Sequence, residues 1–337
     1  MLPFRPPEIS DRIAVANAVA EAGYMGSDAS FANIYLLRKK YGTEIALQDG
    51  FLFRYYNGQG SRRGYAFPLG EGDLPQALAA IEADARDSGR PLEFCLVDEP
   101  RAQILRDYFG GQSAAERAEG AATEQIRFAE NRGDSDYLYS AESLANLPGT
   151  TYRKKRNHIS RFSRTYANYE LREITGENMS DALQVEKLWM NNGVAAESSE
   201  PCEPSCECEE AAWAERSEDE KSRIVEYCAI EEALQDFEAL GMKGAILYVE
   251  GKPVGMTMAS QIIPGVWDIH FEKVIDEYAN NGGYAVINKM FAATLSGARL
   301  INREEDIGIE GLRKAKLSYY PLTILDKSHA TVMQGGA

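Results

Sequence analysis

From Ala245 to Ser318 apolar runs and turn residues follow one another in an order that few folds accommodate: strand, strand, strand, polar loop, helix, strand, helix. Ala245–Val249 and Val254–Ile262 flank a Glu250-Gly251-Lys252 turn, with Val254, Met256 and Met258 alternating against Gly255, Thr257 and Ala259. A third strand, Val266 to Val274, follows Pro264-Gly265, and the polar stretch Asp276 to Gly283 leads into a helix with the apolar stripe Ile287, Met290, Phe291 and Leu295. A short strand at Arg299–Asn302 and a helix over Ile309–Ser318 complete the series. The fold class this implies is α/β, with helices flanking a mixed sheet.

At 337 residues the chain exceeds what one core organises, and a prior of roughly 150 residues per domain predicts two domains. The first half carries its own α/β pattern. A capped helix is predicted over 28–41, and Ile45-Ala46-Leu47 and Phe51-Leu52-Phe53 flank Gln48-Asp49-Gly50, a hairpin signal. A strand from Gly64 to Leu69, a helix from about Leu74 to Asp87 and a buried strand from Leu92 to Val97 follow. Between Arg101 and Glu130 the Ala-, Glu- and Gln-rich pattern with Gly110-Gly111 and Gly120 predicts helix, loop and helix. The second half opens with a basic segment, a strand near Tyr169–Ile174 and a helix over Asp181–Met190; another helix is predicted over 222–240.

The N-terminus lacks the apolar run of a signal peptide, and nothing approaches the ~18 consecutive apolar residues that span a bilayer, so a cytoplasmic protein with no transmembrane segment is expected. Five cysteines without an export signal suit reduced thiols. A formal charge of -16 argues against a protein that coats nucleic acid in bulk. Against that background the run 153–164 stands out, with six Lys/Arg and no acid, and with Tyr152, Phe162 and Tyr166 interleaved. It suits single-stranded nucleotides such as a tRNA acceptor end; a solvated basic helix face has the same pattern. The stretch from Glu197 to Glu220 is its opposite, with ten carboxylates and Cys202, Cys206 and Cys208. It is expected to be a solvated insertion at about 192–221, and no metal site is expected because the spacing is not a standard zinc pattern.

On the third strand, alternate side chains share a face at ~6.6 Å, so Asp268, His270 and Glu272 point one way and Trp267, Ile269 and Phe271 the other. A histidine flanked by carboxylates suits proton abstraction from an attacking amine or hydroxyl; a polar strand face toward water has the same spacing. The Asn280-Asn281-Gly282-Gly283 loop leads into a helix whose exposed N–H groups suit an anion, although Gly-Gly before a helix is also a simple turn. Arg313 and Lys316, three apart on the last helix, would share a face able to hold phosphate oxygens, or serve as cations complementing the helix dipole. Gly308 and Gly311 shape the start of that helix.

Several segments resemble the family named for the C-terminal domain of phosphatidylglycerol lysyltransferase. They are Ile301-Asn302-Arg303 through Lys316-Leu317-Ser318-Tyr319, Tyr152 to Phe162, His270-Phe271-Glu272-Lys273, Gly283-Tyr284 to Asn288, and Ser30-Phe31-Ala32-Asn33. The resemblance implies two tandem domains of the fold named for Gcn5-related N-acetyltransferases (GNAT), each a mixed, mostly antiparallel sheet flanked by helices. The expected domains are 1–135 and 136–337, the second catalytic. It implies transfer of an aminoacyl group from aminoacyl-tRNA to an acceptor, with a coenzyme A thioester as the alternative co-substrate, and with a non-catalytic module for tRNA, nucleotide or peptide as a further alternative. Asp268, His270 and Glu272 are the expected catalytic residues. Donor or phosphate contacts are expected at Arg156, Asn157, His158, Lys273, Gly282, Gly283, Tyr284, Asn288, Asn302, Arg303, Gly308, Gly311, Arg313 and Lys316. The lipid-modifying members carry a large transmembrane domain for which no counterpart is expected here, and the Cys-containing acidic stretch is foreign to the family pattern.

Overall fold

A computed structural model of the chain describes residues 1–58, 62–111, 126–190 and 217–333. They divide into two compact units. Unit 1 comprises Met1–Leu138, Ile262–Pro264 and Asn302–Ala337, and unit 2 comprises Tyr139–Gln261 and Gly265–Ile301. The division expected from sequence is contiguous, whereas the chain leaves unit 1 after Leu138 and rejoins it at Asn302. Cys202, Cys206 and Cys208 and most of the acidic stretch lie outside the described residues.

In unit 1, α1 (Arg12–Glu21) is followed by a turn of 3-10 helix at Ser27–Ala29, α2 (Phe31–Leu36) and α3 (Arg38–Tyr41). The single helix expected over 28–41 is thus divided. Ser30, not Asp28, caps α2, its side chain accepting from the Asn33 N–H. The strands β1 (Thr43–Gln48) and β2 (Phe51–Asn57) pair antiparallel through the two-residue turn Asp49-Gly50, both at positive φ (51° and 83°), as a type I′ hairpin requires. β3 (Arg63–Ala66), β4 (Leu69–Gly70), α4 (Leu74–Ser88), β5 (Glu93–Asp98) and α5 (Glu99–Gly111) follow. The second helix expected before Glu130 is instead a strand, β6 (Ile126–Glu130). Only Ile126 is buried in it, so the apolar alternation that betrays a strand is missing. β7 (Asp136–Ser140) carries the chain from one unit into the next.

Unit 2 contains α6 (Ala141–Asn146), α7 (Arg153–Thr165), β8 (Tyr169–Glu173), α8 (Met179–Met190), α9 (Glu218–Gln235), β9 (Lys243–Val249), β10 (Lys252–Ile263), β11 (Val266–Val274), α10 (Asp276–Asn280), α11 (Gly283–Thr294) and β12 (Leu300–Asn302). Ser217 and Glu220 close a capping box at the start of α9, and half of the loop expected at 276–283 is the short helix α10. Its strands lie in the order β12-β11-β10-β9-β8, so β11 is interior. Phe162, Leu247, Val249, Val254, Val274, Val286 and Ile287 form one buried cluster that joins α7 and α11 to the sheet.

Back in unit 1, α12 (Glu310–Leu317), β13 (Thr323–Leu325) and β14 (Lys327–Val332) end the fold. β13 pairs with Asp136–Leu138 of β7, and β14 inserts between β5 and β6, giving the order β1-β2-β3-β5-β14-β6 with β4 on β2. At the start of β14, Lys327 Nζ lies 2.8 Å from Asp28 Oδ1 and 3.0 Å from Asp136 Oδ1, and Arg54 Nη1 lies 2.8 Å from Asp28 Oδ2. All four side chains are buried, two of each sign. Asp136 also accepts from the Ser27 N–H and hydroxyl and from Asn302 Nδ2. Burial pushes the Asp28 carboxyl up, but Lys327 and Arg54 outweigh it and hold it well below the carboxylate range.

Removing one cation strands a buried carboxylate. Lys327→Met should therefore cost about 3–5 kcal/mol in urea unfolding at neutral pH. Because the Asp28 shift is downward, the stabilisation is present above about pH 4 and is lost as pH falls, so parent and variant curves should converge in acid.

Candidate active site

Strand β11 is interior to its sheet and is covered on both faces. Trp267, Ile269 and Phe271 are buried on one, and Asp268, at 0% exposure, on the other. The alternative of a polar face toward water therefore does not hold at Asp268. His270 Nε2 is 2.8 Å from the hydroxyl of Ser260 on β10, and Nδ1 is 3.4 Å from Asp268 Oδ2. A carboxylate beside Nδ1 favours the tautomer with its proton there, leaving Nε2 as the basic nitrogen. Next along the row, Glu272 Oε2 accepts from Asn288 Nδ2 of α11 at 3.3 Å, while Asn288 Oδ1 is buried without a hydrogen-bond partner. Tyr284, one turn earlier on α11, has its phenol pushed up by burial and by the charge of Glu272.

Lys273 has the parity of the apolar face and is buried there. Its Nζ donates to Glu226 Oε2 of α9 at 2.7 Å and sits 3.5 Å from the centre of the Trp189 ring of α8. On α8, Glu186 is fully buried, and among the described residues neither carboxylate oxygen has a hydrogen-bond partner. Burial, reinforced by Glu226 and opposed by Lys273, pushes its carboxyl up to about 7.

Four residues of this site, Ser260, Glu186, Trp189 and Glu226, were not singled out by sequence. Two left a signal. Ser260 has the strand parity of Val254, Met256 and Met258, and Glu186 lies four residues after Ala182 in the apolar stripe of α8. A polar residue in an apolar register marks a side chain kept for something other than packing.

The Gly282-Gly283 turn is shaped by its neighbour. Gly282 caps α11 at φ 105°, and a Cβ there would meet the His158 carbonyl oxygen of α7 at 2.6 Å. Arg161 Nη2 donates to the Asn280 carbonyl at 2.6 Å, and Arg156 Nη1 to the Leu147 carbonyl at 2.5 Å. α7 buries Phe162 and exposes Arg153, Lys154, Asn157, His158, Arg161 and Arg164. The His158 imidazole is pushed down as its cationic neighbours predict, although partial burial is the larger cause and Arg161 and Lys155 come second.

The remaining expected residues belong to unit 1. Asn302 bridges the Met25 carbonyl and Asp136, and Arg303 stacks at 5.0 Å on Tyr319. Arg313 grips Asp306 with Nε and Nη2 at 2.8 and 3.0 Å, and Lys316 donates to the carbonyls of Arg303 and Glu304. Burial raises the Asp306 carboxyl, but Arg313, Tyr137 and the Gly308 N–H bring it down to about 2. Both cations are engaged by the 303–306 segment, Arg313 in a salt bridge with Asp306 and Lys316 by backbone carbonyls, an arrangement that can coexist with the expected phosphate contacts. Gly308, at φ 77°, turns the chain so that its N–H reaches Asp306, and Gly311 is an exposed helix residue. Asn33, Arg62 and Glu305 form a further buried chain, with Arg62 Nη1 2.9 Å from Asn33 Oδ1 and Nη2 3.2 Å from Glu305 Oε1. The Ser30–Asn33 and 301–319 segments thus meet in unit 1.

A family model described as "Phosphatidylglycerol lysyltransferase, C-terminal" matches residues 20–330. Among curated proteins none matches. Among solved structures, a conserved protein of unknown function from Bacteroides thetaiotaomicron is 32% identical, with a TM-score of 0.81 over 99% of this chain and 100% of that one. A DUF2156 C-terminal domain from Agrobacterium fabrum (13% identity, TM-score 0.59, 96% and 92% covered) and L-PGS from Bacillus licheniformis (13%, 0.56, 89% and 91%) share the fold. That fold is mixed α/β, with two sheets each flanked by helices.

Glu186→Gln tests the buried carboxyl. A carboxyl raised in the folded state costs stability increasingly as pH climbs from its unfolded value toward about 7. The variant should match the parent near pH 4–5 and be more stable at pH 8 by a gap on the order of 3 kcal/mol, read by thermal unfolding across pH.

Proposed function

The chain belongs to the phosphatidylglycerol lysyltransferase C-terminal family, and from that premise we propose that it is an acyltransferase moving an aminoacyl group from aminoacyl-tRNA to a nucleophilic acceptor. The observation that carries the reading is the buried row in which His270 Nε2 meets the Ser260 hydroxyl and Nδ1 faces Asp268. A histidine held in one tautomer by a carboxylate takes a proton from an attacking amine or hydroxyl. The acceptor attacks the ester carbonyl, the tetrahedral oxyanion forms, and the tRNA 3′ oxygen leaves with the proton that His270 received. Glu272 is the second candidate for the base.

The donor is a polyanion, and the exposed cations of α7 supply a matching surface. The closeness of His158 to Gly282 favours that surface over the Gly282-Gly283 turn as the phosphate contact. A formal charge of -16 restricts such binding to this patch. Among the described residues no helix is long and apolar enough to cross a membrane.

Incubating the purified chain and cell extract with labelled aminoacyl-tRNA or labelled acetyl-coenzyme A, and following which label moves, tests the donor. Label leaving acetyl-coenzyme A alone overturns it. His270→Asn should slow transfer by roughly 10²–10⁴-fold with donor affinity unchanged; binding without transfer in the parent identifies a non-catalytic module. The double variant Arg153→Glu, Lys154→Glu should weaken donor binding and flatten its dependence on salt by about one unit of log–log slope per lost phosphate contact.

A further inference from the structure

Behind the apolar face of β11, two carboxylates converge on one ammonium. Glu226 receives the Lys273 Nζ at 2.7 Å, Trp189 lends its ring at 3.5 Å, and Glu186 adds two acceptor oxygens that no donor among the described residues reaches. A carboxylate accepts up to four hydrogen bonds, and burying one with none made is costly. Lys273 supplies one positive charge against two carboxylates, so one further cation completes the balance. The Glu226 side chain is 35% exposed, so one member of the cluster meets solvent.

We propose that Glu186, Glu226 and Trp189 form a binding site for the primary ammonium group of a substrate, beside the ammonium that Lys273 already places there. The Lys273 Nζ, held by an indole face and a carboxylate, demonstrates that this lining suits an alkylammonium. A neutral ligand of the same size can donate at most an uncharged hydrogen bond to Glu186 and leaves its charge unbalanced. The source of the ammonium rests on the aminoacyl-transfer reading, under which it belongs either to the aminoacyl group or to an amine acceptor; the site itself does not require that reading.

Titration calorimetry on the full chain at pH 8 with n-butylamine, L-alaninamide and n-butanol tests it. Both amines should bind and butanol should not. Tighter binding of alaninamide, whose ammonium neighbours a carbonyl, assigns the site to the aminoacyl group; tighter binding of butylamine assigns it to the acceptor. Glu186→Gln and the more exposed Glu226→Gln should each weaken amine binding roughly tenfold or more. Among the described residues the charged groups acting on Glu186 are Lys273 from β11 and Glu226 from α9, and since Glu186 must be ionised to take the cation, binding at pH 6 should be about tenfold weaker than at pH 8. No amine binding by the parent, equal binding of butanol, or unchanged binding in both variants overturns the site. Amine binding that survives in His270→Asn without transfer leaves the site standing, and transfer with no amine binding removes the site alone.

Discussion

Four buried charges hold unit 1 together. Asp28 comes from a turn near the N-terminus, Arg54 from β2, Asp136 from β7 and Lys327 from the first residue of the last strand, so the quartet closes a loop of some three hundred residues. Each charge alone would be prohibitive to bury; as a neutral set with Ser27 and Asn302 filling the remaining acceptors, they lock one register. β14 has its place between β5 and β6 because Lys327 must reach both aspartates. With Asp136 committed to that cluster, β7 continues from a fixed point into unit 2.

In unit 2 the corresponding constraint is the burial of β11 on both faces. A strand so largely buried needs partners for the polar groups it carries, and β11 carries Asp268, His270, Glu272 and Lys273 in nine residues, His270 and Glu272 being half-buried. Their partners come from different elements: Ser260 from β10, Asn288 from α11, Glu226 from α9 and Trp189 from α8. The polar groups on this strand are thereby held against a rigid sheet, which is what proton transfer demands of its participants. Glu186 departs further than its neighbours: among the described residues both of its buried carboxylate oxygens lack a donor, a state that is costly to hold.

Much of this was readable from residue order. The Asp49-Gly50 hairpin, the β9–β11 series, the α11 stripe and the His270 row all follow from local rules of turn chemistry and periodicity, because the partners that enforce them are close in sequence. β6 and β14 were not readable. β6 shows one buried residue in five, and β14 is specified by a lysine whose two partners lie 299 and 191 residues away, the differences between position 327 and positions 28 and 136. The C-terminal segment Arg303–Lys316 shows the same limit from the other side. Its basic spacing is equally consistent with a phosphate cradle and with an internal salt bridge, and Asp306, seven residues before Arg313, takes the guanidinium at 2.8 Å.

By itself the sequence determined the α/β class, the element order of the second half, the family, and the row of Asp268, His270 and Glu272 on one strand face, since each depends on periodicity or on a contiguous motif. Tertiary structure alone decided that the last thirty-odd residues pack with the first half, that Ser260 meets His270, and that Glu186 lies unpaired beside Lys273. The physical reason is one of distance. Local rules act over a few residues, whereas the pairing of buried charges is settled only when the chain has brought remote segments within hydrogen-bond reach and excluded the water that would otherwise serve as partner.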